Sequence, residues 1–223
     1  MPVKISEFTA EPLAEHSQYV RTYRLRYSQN GKKRIWDGIL SQNSVSVLIY
    51  HAEKRCFLFV RQFRPVVYYA ELRESVGLNA HDDITNIVSE KSLPVTAGEV
   101  LELCAGLIDS TDSNPKQAAT REILEECGYQ VDEPSLVWIN SFRGNVGLIG
   151  NQMELYYAQV VESQRVPGAG GGLVEEGECI DLVEWPLSKL DELLTADHNR
   201  PPSPVSFSYA LLWFKFNILP HLL

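Results

Sequence analysis

The sequence predicts an α/β fold, with helices interleaved among strands of a mixed sheet, on three observations. Apolar, β-rich runs of strand length recur along the chain, a well-capped amphipathic helix stands near its middle, and an apolar helix lies near its end. At 223 residues and 44% hydrophobic content, the chain suits one substantial domain with a small appendage and has ample material for a core.

Taken in order, Tyr19 to Tyr27 alternates as a strand, Asn30-Gly31 is a strong hairpin turn, and Lys33 to Trp36 begins the return. Residues 1–42 are therefore expected to form an N-terminal β-rich region, and residues 43–223 the main domain. Ser44 to Tyr50 and Cys56 to Phe63 form a second hairpin around the polar segment His51 to Arg55. Leu72 to Thr96 is polar and irregular and reads as an insertion or loop. Val100 to Cys104 is one short strand. The central helix has Asn114 as N-cap, Pro115 at the first position, Gln117 placed to close a capping box, and Gly128 as its left-handed stop. Ala119, Ile123 and Cys127 recur at i, i+4 and i+8, with Thr120 and Leu124 beside them, as a stripe for the core. Leu136 to Phe142, Met153 to Val161 and Ile180 to Trp185 read as further strands. Ser188 caps a helix over Lys189 to Leu194, and Pro201-Pro202-Ser203-Pro204 leads into the last one.

Composition excludes several classes of function. A formal charge of −9 and a pI near 5.1 argue against nonspecific binding to nucleic acid or to an anionic membrane, since either needs a basic surface. Val205 to Leu219 is interrupted by Ser206, Ser208, Lys215 and Asn217, short of the roughly 18 apolar residues of a membrane span. It is expected to be a docked helix. Cys56, Cys104, Cys127 and Cys179 are widely spaced without a Cys-x-x-Cys pair, which indicates neither a zinc site nor a disulfide scaffold. With no apolar signal region before Ala14, a cytoplasmic protein with reduced thiols is expected. His51, His81 and His198 lie in polar, turn-like segments and read as surface residues.

The chemistry concentrates on the central helix. Glu122, Glu125 and Glu126 stand at i, i+3 and i+4 and project together. Like charges so placed repel by roughly 0.2–0.5 kcal/mol per pair, a sign that a bound hard cation reverses. Taken alone, such a face is usually solvated surface. If it binds a metal, Mg²⁺ suits it best, because the donors are hard oxygens and Mg²⁺ takes one or two protein carboxylates and leaves the rest to water and phosphate.

Around these carboxylates stand Gly106, then five residues to Asp112, then eight residues to Arg121-Glu122-Ile123-Leu124-Glu125-Glu126-Cys127-Gly128-Tyr129. This pattern resembles the box of the Nudix hydrolases, in which a Gly is followed after five residues by Glu and after seven more by Arg-Glu-U-x-Glu-Glu-x-Gly-U, where U is bulky and apolar. Here the loop is one residue longer. The first acid is Asp112, or Ser113 when the pattern is aligned from its C-terminal end. The resemblance implies the Nudix α/β/α sandwich and a divalent metal, Mg²⁺ with Mn²⁺ as substitute, on Glu122, Glu126 and the Ala105 carbonyl. It places Glu125 close by and has Arg121 orienting the carboxylates.

Three further segments are similar to the branch of this family that cleaves ADP-ribose and UDP-sugars. Arg61-Gln62-Phe63-Arg64-Pro65 resembles an element whose Arg reaches the substrate diphosphate, a role that falls on Arg64. A guanidinium fork matches phosphate oxygens where a Lys would not. Gly168, Gly170, Gly171 and Gly172 lack the Gly-Lys-Ser or Gly-Lys-Thr of a P-loop, and by composition they read as a flexible linker. The acidic exit, Glu175, Glu176 and Glu178, could swing a carboxylate over the metal. The resemblance implies a general base there, Glu176 first, with Glu178 as neighbouring support or metal ligand. Trp36 matches a hairpin Trp that stacks on the nucleobase, on a hairpin exchanged across a homodimer. An ordinary core or interface aromatic accounts for Trp36 equally well.

With Glu102-Leu103-Cys104-Ala105-Gly106 and Val146-Gly147-Leu148, the similarity narrows toward the UDP-glucose pyrophosphatases of animals. Many ADP-ribose hydrolases carry Pro at the Cys104 position. The expected activity is Mg²⁺-dependent hydrolysis of UDP-glucose to UMP and glucose 1-phosphate, with ADP-ribose as the alternative substrate. A different class, a Nudix-fold module that binds such a nucleotide without cleaving it, has the altered first acid and the longer loop as its only support.

Overall fold

The computed structural model describes all residues except 1–4, 6–7, 12, 14–16, 18–19, 79–81, 83–92, 174, 176, 198–199 and 223. His81, Glu176 and His198, and much of the 72–96 segment, lie outside the described residues. β1 (Arg21–Gln29) and β2 (Lys32–Leu40) pair antiparallel as a separate two-stranded sheet. Asn30 and Gly31 turn between them with φ of 52° and 76°, the left-handed pair that a tight two-residue hairpin requires.

The main sheet has seven strands among the described residues, and its arrangement positions the cleft. β3 (Ser44–His51) and β4 (Cys56–Phe63) pair with each other only from Ile49 to His51 and from Cys56 to Leu58. Beyond that they splay apart, and two short strands fill the gap. β5 (Glu99–Glu102) adds to β4, whereas β6 (Cys104–Leu107) adds to β3. The strand expected over Val100 to Cys104 stops at Glu102, and past Leu103 the chain changes partners as a second strand, β6, which was not expected. On the outer sides, β7 (Val137–Arg143) and β8 (Gln152–Val160) extend the sheet from β3, and β9 (Ile180–Pro186) extends it from β4. The β3–β8 pairing is parallel and the others are antiparallel, so the sheet is mixed.

Alternation along the strands divides the core into two layers. Val45, Val47 and Ile49 with Cys56, Leu58 and Val60 face the central helix, packing on Ala118, Ala119, Ile123 and Cys127. Leu48, Tyr50, Phe57 and Phe59 face the other way, onto α3 (Leu190–Leu194) and α4 (Val205–Asn217). The result is an α/β/α sandwich. Among the described residues no helix is long and apolar enough to cross a membrane, and α4 docks through Phe207, Ala210, Leu211 and Phe214.

Five local expectations change, the first being that Ser188 lies inside a 3₁₀ turn over Leu187–Lys189 and α3 begins at Leu190 without a side-chain cap. Pro65–Ser75 is a helix, α1, reaching into the segment read as irregular. It buries only Tyr68 and Leu72 and exposes Val66, so the sequence carries no helical stripe there. The central helix is α-helical over α2 (Pro115–Glu122) and continues as a π-turn over Ile123–Cys127. Asn114 caps it as expected, accepting from the Lys116 and Gln117 N–H groups, but the Gln117 side chain reaches back to the N–H of Ser113 rather than of Asn114. His51 is fully buried at the end of β3, where Nδ1 accepts from the Lys54 N–H at 3.2 Å and Nε2 faces a Glu162 oxygen at 3.3 Å. A buried, hydrogen-bonded ring in a polar stretch gives no apolar signal to read.

Phe214 is fully buried against Tyr50, Phe57 and Tyr157 at centroid distances of 5.2, 4.8 and 5.9 Å. Phe214→Ala should destabilise the protein by about 3–5 kcal/mol in denaturant titration. A loss below about 1 kcal/mol would mean that the α4 layer does not contribute to the core as packed.

Candidate active site

The gap between β3 and β4 becomes a cleft of about 590 Å3, whose lining includes Arg64, Ala105, Arg121, Glu122, Glu126 and Glu178. Its floor is β6, and the C-terminal half of the central helix lies over it. Glu126 is 4% exposed and its carboxylate accepts the Ala105 N–H at 3.0 Å. The Glu122 carboxylate lies so close to Gly106 that a Cβ there would sit 1.9 Å from Oε1. Only glycine admits this approach. Desolvation pushes the Glu126 carboxyl up to about 8 and the Glu122 carboxyl up to about 7, the latter opposed by the neighbouring Arg121 charge.

Arg121 organises this acidic group. Its Nη1 donates to Glu122 Oε1 at 2.8 Å and to Glu125 Oε2 at 2.9 Å, while Nη2 donates to the Leu107 carbonyl at 3.0 Å and to Asp112 Oδ2 at 3.1 Å. The side chain of Asp112 is 4% exposed, and hydrogen bonding from Arg121 holds its carboxyl below the usual range. It also accepts the Asp109 N–H at 2.9 Å, which closes the longer loop upon itself. The shortened acid at the first position therefore still reaches the box arginine, and Asp112 rather than Ser113 makes that contact.

Among the described residues no group of three or more His, Cys, Asp or Glu side chains is arranged to hold a metal ion. Glu125 faces Arg121. What the cleft offers a cation is Glu122 and Glu126, two carboxyls whose ionised forms are costly without one, beside the Ala105 backbone. This all-oxygen set fits a hard ion that keeps water and phosphate in its remaining positions, as Mg²⁺ does.

Arg64, at the end of β4, lines the same cleft, and its guanidinium is held by Glu102 on β5 through two hydrogen bonds of 2.7 and 2.9 Å. The glycine run is no loose linker. Gly171 and Gly172 donate their N–H groups to the carbonyls of Glu126 and Glu125 at 2.9 and 3.0 Å, satisfying acceptors that the end of the helix leaves open. Past this clamp, Leu173 N–H donates to Glu178 Oε2 at 2.9 Å, and Glu178 thereby sits at the cleft. Trp36 is not among the described residues lining the cleft of one chain. It is 53% exposed on β2, its Nε1 donating to the Gly147 carbonyl at 2.8 Å. Glu102, the clamp and the Asp112 contact went unassigned in sequence reading. Of these, only Glu102 left a signal, one carboxylate inside the apolar run Val100 to Cys104.

A strand-wedged cleft with an Arg-bridged acidic helix over it defines a class, and the NUDIX domain family model matches residues 40–206, so the chain belongs to the Nudix family. It is similar to the uridine diphosphate glucose pyrophosphatases of Mus musculus, 35% identical over 212 residues and 94% of each chain, and of Bos taurus, 34% identical over 208 residues and 92% of each chain. It is more distantly similar to a GDP-mannose pyrophosphatase of Escherichia coli, 26% identical over 169 residues, 76% of this chain and 71% of that one. A crystal structure of an ADP compounds hydrolase shares the fold, with a TM-score of 0.57 at 19% identity over 95% of this chain and 97% of that one.

Gly106→Ala should push the Glu122 carboxylate out of position and weaken Mn²⁺ binding about ten- to hundredfold in calorimetry. Unchanged Mn²⁺ affinity would show that this carboxylate has no part in holding the ion.

Proposed function

We propose that the protein hydrolyses the diphosphate bond of nucleoside diphosphate sugars with Mg²⁺, and that UDP-glucose is its favoured substrate, giving UMP and glucose 1-phosphate. The observation that carries this reading is one cleft lined by two desolvated carboxylates and an arginine fork, the parts that a dianionic diphosphate and a hard cation need together. Identity of 35% over nearly the whole length of a uridine diphosphate glucose pyrophosphatase supports the choice of base and sugar. The contacts of Asp112 with Arg121 and with the Asp109 N–H weaken the case for a non-hydrolytic module, which rested on the altered acid and the longer loop.

Glu122, Glu126 and the Ala105 carbonyl would hold the ion, with Glu125 beside them. The bound ion would draw charge from the diphosphate oxygens as phosphorus is attacked. Arg64 binds the diphosphate through a guanidinium edge, and Arg121 keeps the carboxylates in register. Glu176 takes the proton of the attacking water, with Glu178 as neighbouring support. The water oxygen bonds to one phosphorus while the bridging P–O bond breaks, and no covalent enzyme intermediate forms.

The hairpin supports a homodimer. Tyr23, Leu25, Tyr27 and Trp36 share one face of β1–β2 and are each 39–53% exposed, while residues 21–40 carry six basic side chains and one acidic one on a chain of net charge −9. An apolar, basic hairpin suits the acidic body of a second copy. Trp36 would then meet the partner's cleft and stack on the nucleobase. Leu25→Arg should convert the dimer to monomer in light scattering. A wild-type monomer would refute this assembly.

Purified protein with Mg²⁺ should turn over UDP-glucose faster than ADP-ribose, GDP-mannose or a dinucleotide, with UMP and glucose 1-phosphate on separation of the products. Tight binding without turnover of any of them would sink the enzymatic reading. Glu126→Gln should weaken metal dependence and activity together. Glu176→Gln should lower kcat about 10²–10⁴-fold while sparing binding, and full turnover in that variant would move the base to Glu178.

A further inference from the structure

β5 ends on Glu102, a charged residue set in the otherwise apolar run from Val100 to Cys104. Val100, Leu101 and Leu103 are buried around Glu102, which is itself only 8% exposed. A carboxylate so placed is costly unless it is paired. Its partner is Arg64, in a side-on pair with Nε to Oε1 at 2.7 Å and Nη2 to Oε2 at 2.9 Å. Burial of the arginine is partial, its side chain being 44% exposed.

The pairing uses one edge of the guanidinium. Of the five N–H donors an arginine carries, two go to Glu102. Both hydrogens of Nη1 and one of Nη2 are left, and one from each nitrogen lies along the adjoining edge, which can engage two phosphate oxygens at once. Arg64 lines the cleft with Glu122, Glu126 and Glu178, whereas Glu102 is not among its lining residues. The carboxylate therefore reaches the cleft only through the guanidinium it holds.

We propose that Glu102 is a positioning residue, fixing the Arg64 guanidinium so that its free edge receives the substrate diphosphate. The inference rests on the diphosphate-hydrolase reading above. Orientation set during folding need not be imposed when substrate binds, so the donors are already aimed where charge develops. The role also requires Arg at 64, because an ammonium group lacks the planar fork that pairs bidentately with a carboxylate on one edge and a phosphate on another.

The test is a double-mutant cycle in the full chain with Glu102→Gln, Arg64→Gln and both together, read as kcat and KM for UDP-glucose hydrolysis in Mg²⁺, with thermal melting of each variant. Glu102→Gln should lower kcat/KM about ten- to hundredfold, and the double variant should be no slower than Arg64→Gln alone. Wild-type kcat/KM in Glu102→Gln, or the same further loss from it in the Arg64→Gln background, would overturn the proposal. If Glu102→Gln does not fold, Arg64→Lys carries the test. A loss as large as that of Arg64→Gln supports the fork, and near-wild-type kcat/KM overturns it. A wild type that cleaves no nucleotide removes the activity reading alone. The cycle is then read in the dissociation constant of methylenediphosphonate with Mg²⁺, where additive losses would overturn the role of Glu102.

Discussion

Arg121 bridges groups that would otherwise repel one another, for it contacts Glu122 and Glu125 on its own helix, Asp112 on the preceding loop and the Leu107 carbonyl at the end of β6. Without that guanidinium the loop from Gly106 to Ser113 would keep its tie through Gln117 but lose the one through Asp112, and the carboxylates would stand together with no internal cation. With it the acidic group is held but not neutralised. Glu126 is instead buried against the Ala105 N–H, and both it and Glu122 titrate high because they are poorly solvated. Two poorly solvated carboxyls in a confined, oxygen-lined space are what would suit the proposed hard cation, which would favour their ionised forms.

The sheet supplies the space. Had β3 and β4 paired along their full length, no gap would exist for β5 and β6, and the Ala105–Gly106 backbone would not come under the helix. Gly106 then admits the Glu122 carboxylate at a distance no side chain would permit, and the π-turn over Ile123–Cys127 carries Glu126 inward. The glycine run from the far side of the cleft donates two backbone N–H groups to the end of this helix, tying the loop that bears Glu178 to the element that bears Glu126. In the proposed mechanism, Glu126 and the loop bearing Glu178 would thus be referred to one framework, as catalysis by positioning requires.

The central helix was legible because its signals are local: Asn114 and Pro115 at one end, Gly128 at the other and the buried stripe of Ala119, Ile123 and Cys127 between them. The strands of the sheet were legible for the same reason, since each alternates or runs apolar over its own length. α1 was not, because a helix that buries only Tyr68 and Leu72 leaves no periodic stripe. The partner change at Leu103 was equally hidden, since one continuous apolar run serves two strands equally well.

By itself the sequence determined most of the elements, the acidic face and the spacing that ties Gly106 to Arg121, because caps, periodicity and motif spacing act within a few turns of chain. Tertiary structure alone decided which groups meet. Asp112 reaches Arg121 across nine residues of loop and helix, Arg64 is fixed by Glu102 from the neighbouring strand, and the glycine run docks rather than swings free. Each of these depends on how separate backbones approach in space, a long-range packing outcome that no local pattern encodes.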